Sequence, residues 1–257
     1  MARQIQSIER AAAILKLLSS GQRRLGVVEL AQYMGLPKGT VHGILVTLTH
    51  IGFVEQDRAT GKYQLGATVL RLGNSYLDGN ELRNISINWA DALAARSREA
   101  VQIGTRHDGG ALIVHHVFRP DDSLQSLEVG TVLPLHSTAL GKVLLAFGAE
   151  ELDDVLTMPL ERSASRTTVS SRDLEIELGD IRTGGWAGEV NELVDGQAAI
   201  AAPIRDRDFV VGSIGIRGAV ERLCEPDLSL RRGLVTFVLD AATAISRELA
   251  TPSPNHP

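Results

Sequence analysis

A single cysteine, Cys224, leaves no internal disulfide to form and points to a reducing compartment. No apolar run approaches the roughly 18 residues of a membrane span. The amino end carries Glu9, and Lys16 interrupts the apolar stretch after it, which is not the pattern of a secretory leader. A cytoplasmic setting is therefore expected. There is no phosphate-cradling Gly-x-x-x-x-Gly-Lys-Thr and no Gly-x-Gly-x-x-Gly opening a helix. An excess of positive charge is missing too, since the formal net charge is −5. What is present is ordinary globular composition, 44% apolar and 22% charged, which excludes a disordered or collagen-like chain. At 257 residues there is room for two domains of roughly 100–200 residues.

Charge divides the chain unevenly. Residues 1–66 hold eight bases (Arg3, Arg10, Lys16, Arg23, Arg24, Lys38, Arg58, Lys62) against four acids, a balance of +4, and the remainder carries −9. A basic head on an acidic body suggests that only the head meets a polyanion. Chance asymmetry in a two-domain protein is the competing explanation.

Within the head, Ser7 is placed to cap a helix running to Leu18, with Ile8, Ala11, Ala12, Leu15 and Leu18 on one face. A short amphipathic segment follows over 27–34, with Val27, Leu30, Ala31 and Met34 on its apolar side. Gly35 then supplies a turn and Leu36 a plug between two helices. Pro37 suits the first turn of the second helix, where its missing N–H costs nothing. Val41, Ile44, Leu45 and Leu48 form that helix's buried stripe and leave Lys38, Thr40, His42, Gly43 and Thr47 outward. After Gly52 the period becomes extended. Residues 53–56 and 62–65 flank a turn with Arg58 and Lys62 on its two sides, a two-stranded wing. Such a head lays its second helix in the major groove and its wing on the backbone. A helical subdomain that binds no DNA is the other reading, and the wing, the +4 balance and the small polar outer face favour DNA.

Three stretches then carry a resemblance. The first runs from Glu29-Leu30-Ala31 through Gly35-Leu36-Pro37-Lys38-Gly39-Thr40-Val41-His42 to Tyr63-Gln64-Leu65-Gly66. The second is Gly130 with Pro134-Leu135-His136-Ser137-Thr138-Ala139-Leu140-Gly141-Lys142. The third is Gly184-Gly185-Trp186-Ala187, Glu192, Gly196 and Ile200-Ala201-Ala202-Pro203-Ile204. In this order they resemble the IclR-type transcriptional regulators over nearly the whole chain. Residues 55–57, 72–78, 112–122 and 218–223 are similar to a branch of that family that regulates glycerol operons in actinobacteria. The resemblance implies a winged helix-turn-helix over 1–66, a linker helix over 67–82 that also pairs subunits, and a GAF-like effector-binding domain over 83–250. Residues 251–257, with three prolines, read as a frayed tail. The family commonly has Ser at the place of Gly39 and Arg at that of Gly43. Readout is therefore expected to lean on Lys38, Thr40, His42 and Thr47, with a backbone N–H at Gly39 and with Arg58 and Lys62 on phosphates.

The body alternates hairpins and helices, so an α+β class is expected. Strands are predicted over 101–106, 112–117, 124–129, 187–190, 198–204 and 209–216. Helices are predicted over 65–82, 82–98, 138–147, 150–156, 171–182 and 226–249. Nothing in it assembles a catalytic group. The acid pairs Asp121-Asp122, Glu150-Glu151 and Asp153-Asp154 read as solvated. Acidic neighbours should raise the Cys224 thiol, and His115 and His116 point to opposite faces of a strand, wrong for a shared metal. No catalytic residue, metal or cofactor is expected. His136-Ser137-Thr138 precede a helix, so hydroxyls and free N–H groups there could meet a small molecule. By resemblance, the effector pocket carries over to Leu133, Ala139, Leu140, Glu189, Gln197, Ala199, Gly215 and Arg217. Arg217 departs from the small hydroxyl residues usual at its place. It is expected either to bind an anion, such as the phosphate of glycerol 3-phosphate with Glu189 accepting from hydroxyls, or to pair with Glu221 or Glu189 at the surface. The partners expected are double-stranded operator DNA, a small-molecule effector and further copies of the chain, as a dimer or dimer of dimers. An enzyme acting on a small acid, or a regulator with an aromatic effector, are the rival readings.

Overall fold

A computed structural model describes residues 5–19, 24–121, 123–148 and 152–251, with backbone alone at Asp153 and Asp154. Arg3, Arg23, Asp122, the Glu150-Glu151 pair and the tail from 252 onward lie outside the described residues. The chain divides into two compact units, Met1–Gly79 and Asn80–Pro257.

In the first unit, apolar residues at helical spacing produce α1 (Gln6–Ser19), α2 (Val27–Met34) and α3 (Lys38–His50). Ser7 lies inside α1 rather than capping it, because the Ile8 amide already bonds to the Ile5 carbonyl. Glu29 closes the start of α2 by accepting from the Gly26 amide at 2.7 Å. Gly35 ends α2 with φ at 61°, a left-handed geometry that disfavours a side chain. Pro37 stands at the N-cap of α3, one position earlier than its expected place in the first turn. The wing pairs β1 (Val54–Gln56) with β2 (Tyr63–Leu65), Val54 opposite Leu65. Leu25 adds a bridge to Tyr63, a contact between segments that no local pattern announces. Ile14, Leu18, Leu30, Val41, Leu45, Leu48, Val54 and Tyr63 fill one core. The two helices expected over 65–82 and 82–98 meet a little earlier than expected: α4 (Ala67–Asp78) ends before Gly79, and the Asn80 side chain caps α5 (Glu81–Ser97) by accepting from the Arg83 amide. No residue of α4 is buried, and Leu70, Leu72 and Tyr76 are more than half exposed.

Among the described residues the second unit is built on six antiparallel strands. They are β3 (Ala100–His107), β4 (Gly110–Val117), β5 (Val132–Pro134), β6 (Ala187–Val190), β7 (Gln197–Asp206) and β8 (Phe209–Ala219), in the order β5-β4-β3-β8-β7-β6. One face carries α6 (Ala139–Ala146) and α8 (Ser171–Gly184), whose core includes Ala111, Ile113, Leu133, Ala199 and Ala201. Strand alternation turns Ala198, Ile200, Ala202 and Ile204 the other way. There β7 meets α10 (Arg232–Ala250), which also packs on α5. Short helices α7 (Leu152–Thr157) and α9 (Val220–Leu223) complete the unit. This is an α+β body.

Two expectations fail. Residues 124–129 form no strand: Leu124 and Leu127 point into solvent, and the edge strand is β5 just beyond. The last helix starts at Arg232 rather than 226, because Cys224 bridges Leu230 and Leu228 takes a φ of 66°.

Candidate DNA-reading face and candidate ligand site

The outward stripe of α3 follows from its buried one. Lys38, Gly39, His42, Gly43 and Thr47 are exposed and Thr40 is half-buried. The Thr47 hydroxyl donates back to the Gly43 carbonyl at 3.0 Å, so its hydrogen is engaged within the helix. A Cβ added at Gly39 or Gly43 would meet nothing within 4 Å, so neither glycine is required by packing. At the wing, Asp57 accepts from the amides of Ala59 (2.8 Å) and Thr60 (3.4 Å), folding the tip that presents Arg58. These bonds, the Ala59 one foremost, hold the Asp57 carboxyl below its usual range. Asp57 also pairs with Arg24, a base the sequence reading left without a role. Lys62 lies 3.6 Å from Glu29, so its charge is shared with the start of α2.

In the second unit, Leu133, Ala139, Leu140, Glu189, Ala199 and Arg217 line one inner cavity with Gln102, Thr138 and Leu193. Its volume is about 10 Å³, room for about one water molecule. Gln197 faces instead an adjoining open cleft of about 620 Å³, which shares Gln102 and Arg217 with the cavity. Gly215 lines neither. It pairs with Gln102 and Ala201, and a Cβ there would come within 2.6 Å of the Ile200 carbonyl oxygen.

Much of the start of α6 is satisfied from within, although the Ser137 hydroxyl is buried with no partner among the described residues. The Thr138 side chain accepts from the Gly141 amide at 3.1 Å and donates to the Pro134 carbonyl, while the Ala139 amide, expected to be free, donates to Glu189 at 3.2 Å. Glu189 also accepts from the Leu193 amide at 3.2 Å. Burial raises its carboxyl above the ordinary range, and the field of Arg217 works in the opposite direction. Arg217 itself pairs with neither Glu221 nor Glu189. It lies 3.8 Å from Glu128, and its Nε is buried without an acceptor among the described residues.

One polar cluster escaped the sequence reading. Lys142, in the apolar run of α6, is fully buried with its ammonium 2.5 Å from Glu177 and 2.8 Å from Glu192. Burial raises the Glu192 carboxyl, whose second oxygen has no partner among the described residues. Gln102 and Glu128 were missed as well. A lone glutamine between Val101 and Ile103 was the available signal for the first, and nothing local marked the second. Cys224 is raised as expected, but burial is the main cause, and Arg231 and Arg166 oppose it. The His116 ring accepts from the Glu128 amide, and burial lowers the His116 pKa. Among the described residues no helix is long and apolar enough to cross a membrane.

Comparison with known proteins agrees with this layout. Residues 7–58 match the IclR helix-turn-helix domain, and residues 74–247 match the C-terminal domain of the bacterial transcriptional regulator IclR. The chain is 53% identical over 250 residues to the glycerol operon regulatory protein of Streptomyces coelicolor, covering 97% of this chain and 98% of that one. Its counterpart in Streptomyces griseus is 52% identical with the same coverage. An IclR homolog from Microbacterium hydrocarbonoxydans, crystallised with 4-hydroxybenzoate, superposes with a TM-score of 0.81 at 21% identity, over 95% of this chain and 99% of that one.

Proposed function

Since the chain belongs to the IclR family of bacterial transcriptional regulators, we propose that it governs a glycerol catabolic operon and that a small anion controls its grip on operator DNA. Identity of 53% across 97% of the chain to a glycerol operon regulatory protein carries this reading. In it, α3 enters the major groove, with Lys38, Thr40, His42 and Thr47 toward base edges and the Gly39 amide on a phosphate. Arg58 and Lys62 hold the backbone from the wing. Without an arginine at position 43, discrimination rests on half-site spacing and DNA shape more than on a bidentate guanine contact. The exposed apolar residues of α4 pair subunits, giving a dimer or a dimer of dimers.

The effector is an anionic polyol such as glycerol 3-phosphate. Its anion meets Arg217, which has an unused donor, and its hydroxyls meet Glu189. A ligand changes DNA affinity only by as much as it prefers one conformation, so ligand uptake must alter the spacing of two heads. Repression relieved by the catabolite is the expected sign. A mobility shift on the promoter beside its own gene, with and without glycerol 3-phosphate, tests the reading. Retarded DNA that is released by the ester supports it. An unretarded duplex at low salt in both conditions overturns it. Calorimetry on Arg217→Ala tests the seat: undiminished binding of the ester removes Arg217 from it.

A further inference from the structure

Among the described residues three guanidinium groups line the open cleft, and two of them are paired with carboxylates. Arg222 grips Glu99 through two hydrogen bonds of 2.6 and 2.9 Å, and Arg119 pairs with Asp121. Arg217 is different. Its side chain is 15% exposed, its Nε is buried without an acceptor, and the carboxylate it faces stands 3.8 Å away. That carboxylate, Glu128, is held by other groups. It accepts from the Gln102 side-chain amide, and its own backbone amide donates to His116 Nδ1 at 3.2 Å. Glu128 thus puts one negative charge between Gln102 and Arg217 without filling the guanidinium's donor set.

We propose that Arg217 and Gln102 form a phosphate-monoester subsite at the mouth of the cleft, and that the Glu128 carboxylate occupies it in the empty chain and is displaced by the ligand. This rests on the reading above that the chain senses an anion at Arg217. A phosphate monoester brings up to two charges and three acceptor oxygens. It can meet several of the five guanidinium N–H donors together with the Gln102 amide, which a tethered carboxylate 3.8 Å off does not. Room favours the same place. The inner cavity of about 10 Å³ admits no phosphate, whereas the cleft of about 620 Å³ does. Residues 118–121 and 123–130 supply Arg119, Ser123, Gln125, Ser126 and Glu128 to the cleft and belong to no helix or strand, so Glu128 can swing out without unpairing the sheet. The tethered acid also sets selectivity. A neutral polyol gains nothing by displacing it, and a dianion gains most.

Titration calorimetry of the whole chain decides the matter, with glycerol 3-phosphate, inorganic phosphate and glycerol as separate ligands against wild type, Glu128→Gln and Glu128→Ala. Glutamine keeps the shape and an acceptor for Gln102 while removing the competing charge. Alanine serves if glutamine perturbs folding. The expected result is that both phosphates bind at least about fivefold tighter, about 1 kcal/mol, with glycerol unchanged. Wild-type binding of the ester with no gain in either variant overturns the displaced-acid proposal alone. No uptake of the ester by wild type or variants overturns the effector reading with it. A gain for inorganic phosphate equal to that for the ester assigns the subsite to the phosphate group, and a gain for the ester alone makes the glycerol portion part of the recognition.

Discussion

Removing the Lys142 ammonium tests whether the second unit depends on its buried cation. Lys142→Met keeps the length of the side chain and deletes the charge, leaving Glu177 and Glu192 converging on a site without a counter-ion. Breaking a buried pair by deleting one partner costs about 3–5 kcal/mol. Protonation of Glu192, whose carboxyl is already raised by burial, limits that loss, so the deficit should be smaller at pH 5.5 than at pH 8. For a unit of this size each kcal/mol moves the melting temperature by roughly 2–4 °C, so a fall of about 6–20 °C is expected at pH 8. Differential scanning calorimetry at both pH values measures it. The double variant Lys142→Met/Glu192→Gln should recover part of the loss, because the remaining carboxylate no longer faces a second charge. A Lys142→Met protein that melts within about 2 °C of wild type at pH 8 would refute the reasoning, since the cluster would then be contributing less than about 1 kcal/mol.

Further outcomes follow from the same geometry. Gly43→Ala adds a methyl group where nothing lies within 4 Å, so it should stabilise the first unit by roughly 0.8–1 kcal/mol, read as a higher urea midpoint for that unit; a lower midpoint would mean the face is covered. Glu192→Gln alone bears on pH. Burial raises the folded pKa above 4.5, so the folded state keeps its proton longer, and stability falls as pH rises from 4.5 through the folded value and is level above it. The glutamine variant should flatten that decline in urea midpoints taken between pH 4 and 8, and an unchanged slope would count against the assignment. Arg58→Ala should weaken operator and random duplex alike and lower the slope of log affinity against log salt by about 0.9; loss on the operator alone would assign Arg58 to a base edge.

The head was legible because its order is local. The four apolar residues of α3 recur at helical spacing, and Gly35 falls where the backbone turns left-handed. In the body, long strands such as β7 and β8 show in the pattern, but β5 spans only Val132–Pro134, too short for alternation to register. Leu124, Leu127 and Val129 imitated a strand that the fold leaves open. The grouping of residues around the inner cavity could be anticipated only through family resemblance, since its lining comes from β3, β5, α6, β6, β7 and β8 together. Lys142 was opaque for the same reason. Its two partners lie 35 and 50 residues away, and only their arrival makes a buried lysine tolerable.

The water-sized hollow beneath Arg217 has a bearing on timing. If the proposed ligand first lands by its phosphate in the open cleft and its other end must then prise this hollow apart to reach Glu189, the second step proceeds at a pace set by the protein's own opening, so crowding it with more ligand eventually stops hastening the response. Brief surges of a metabolite would come and go before many copies had opened, whereas a lasting supply would be captured almost completely. On that reading, tight closure of the hollow would act as a filter against noise, at the cost of a delayed start.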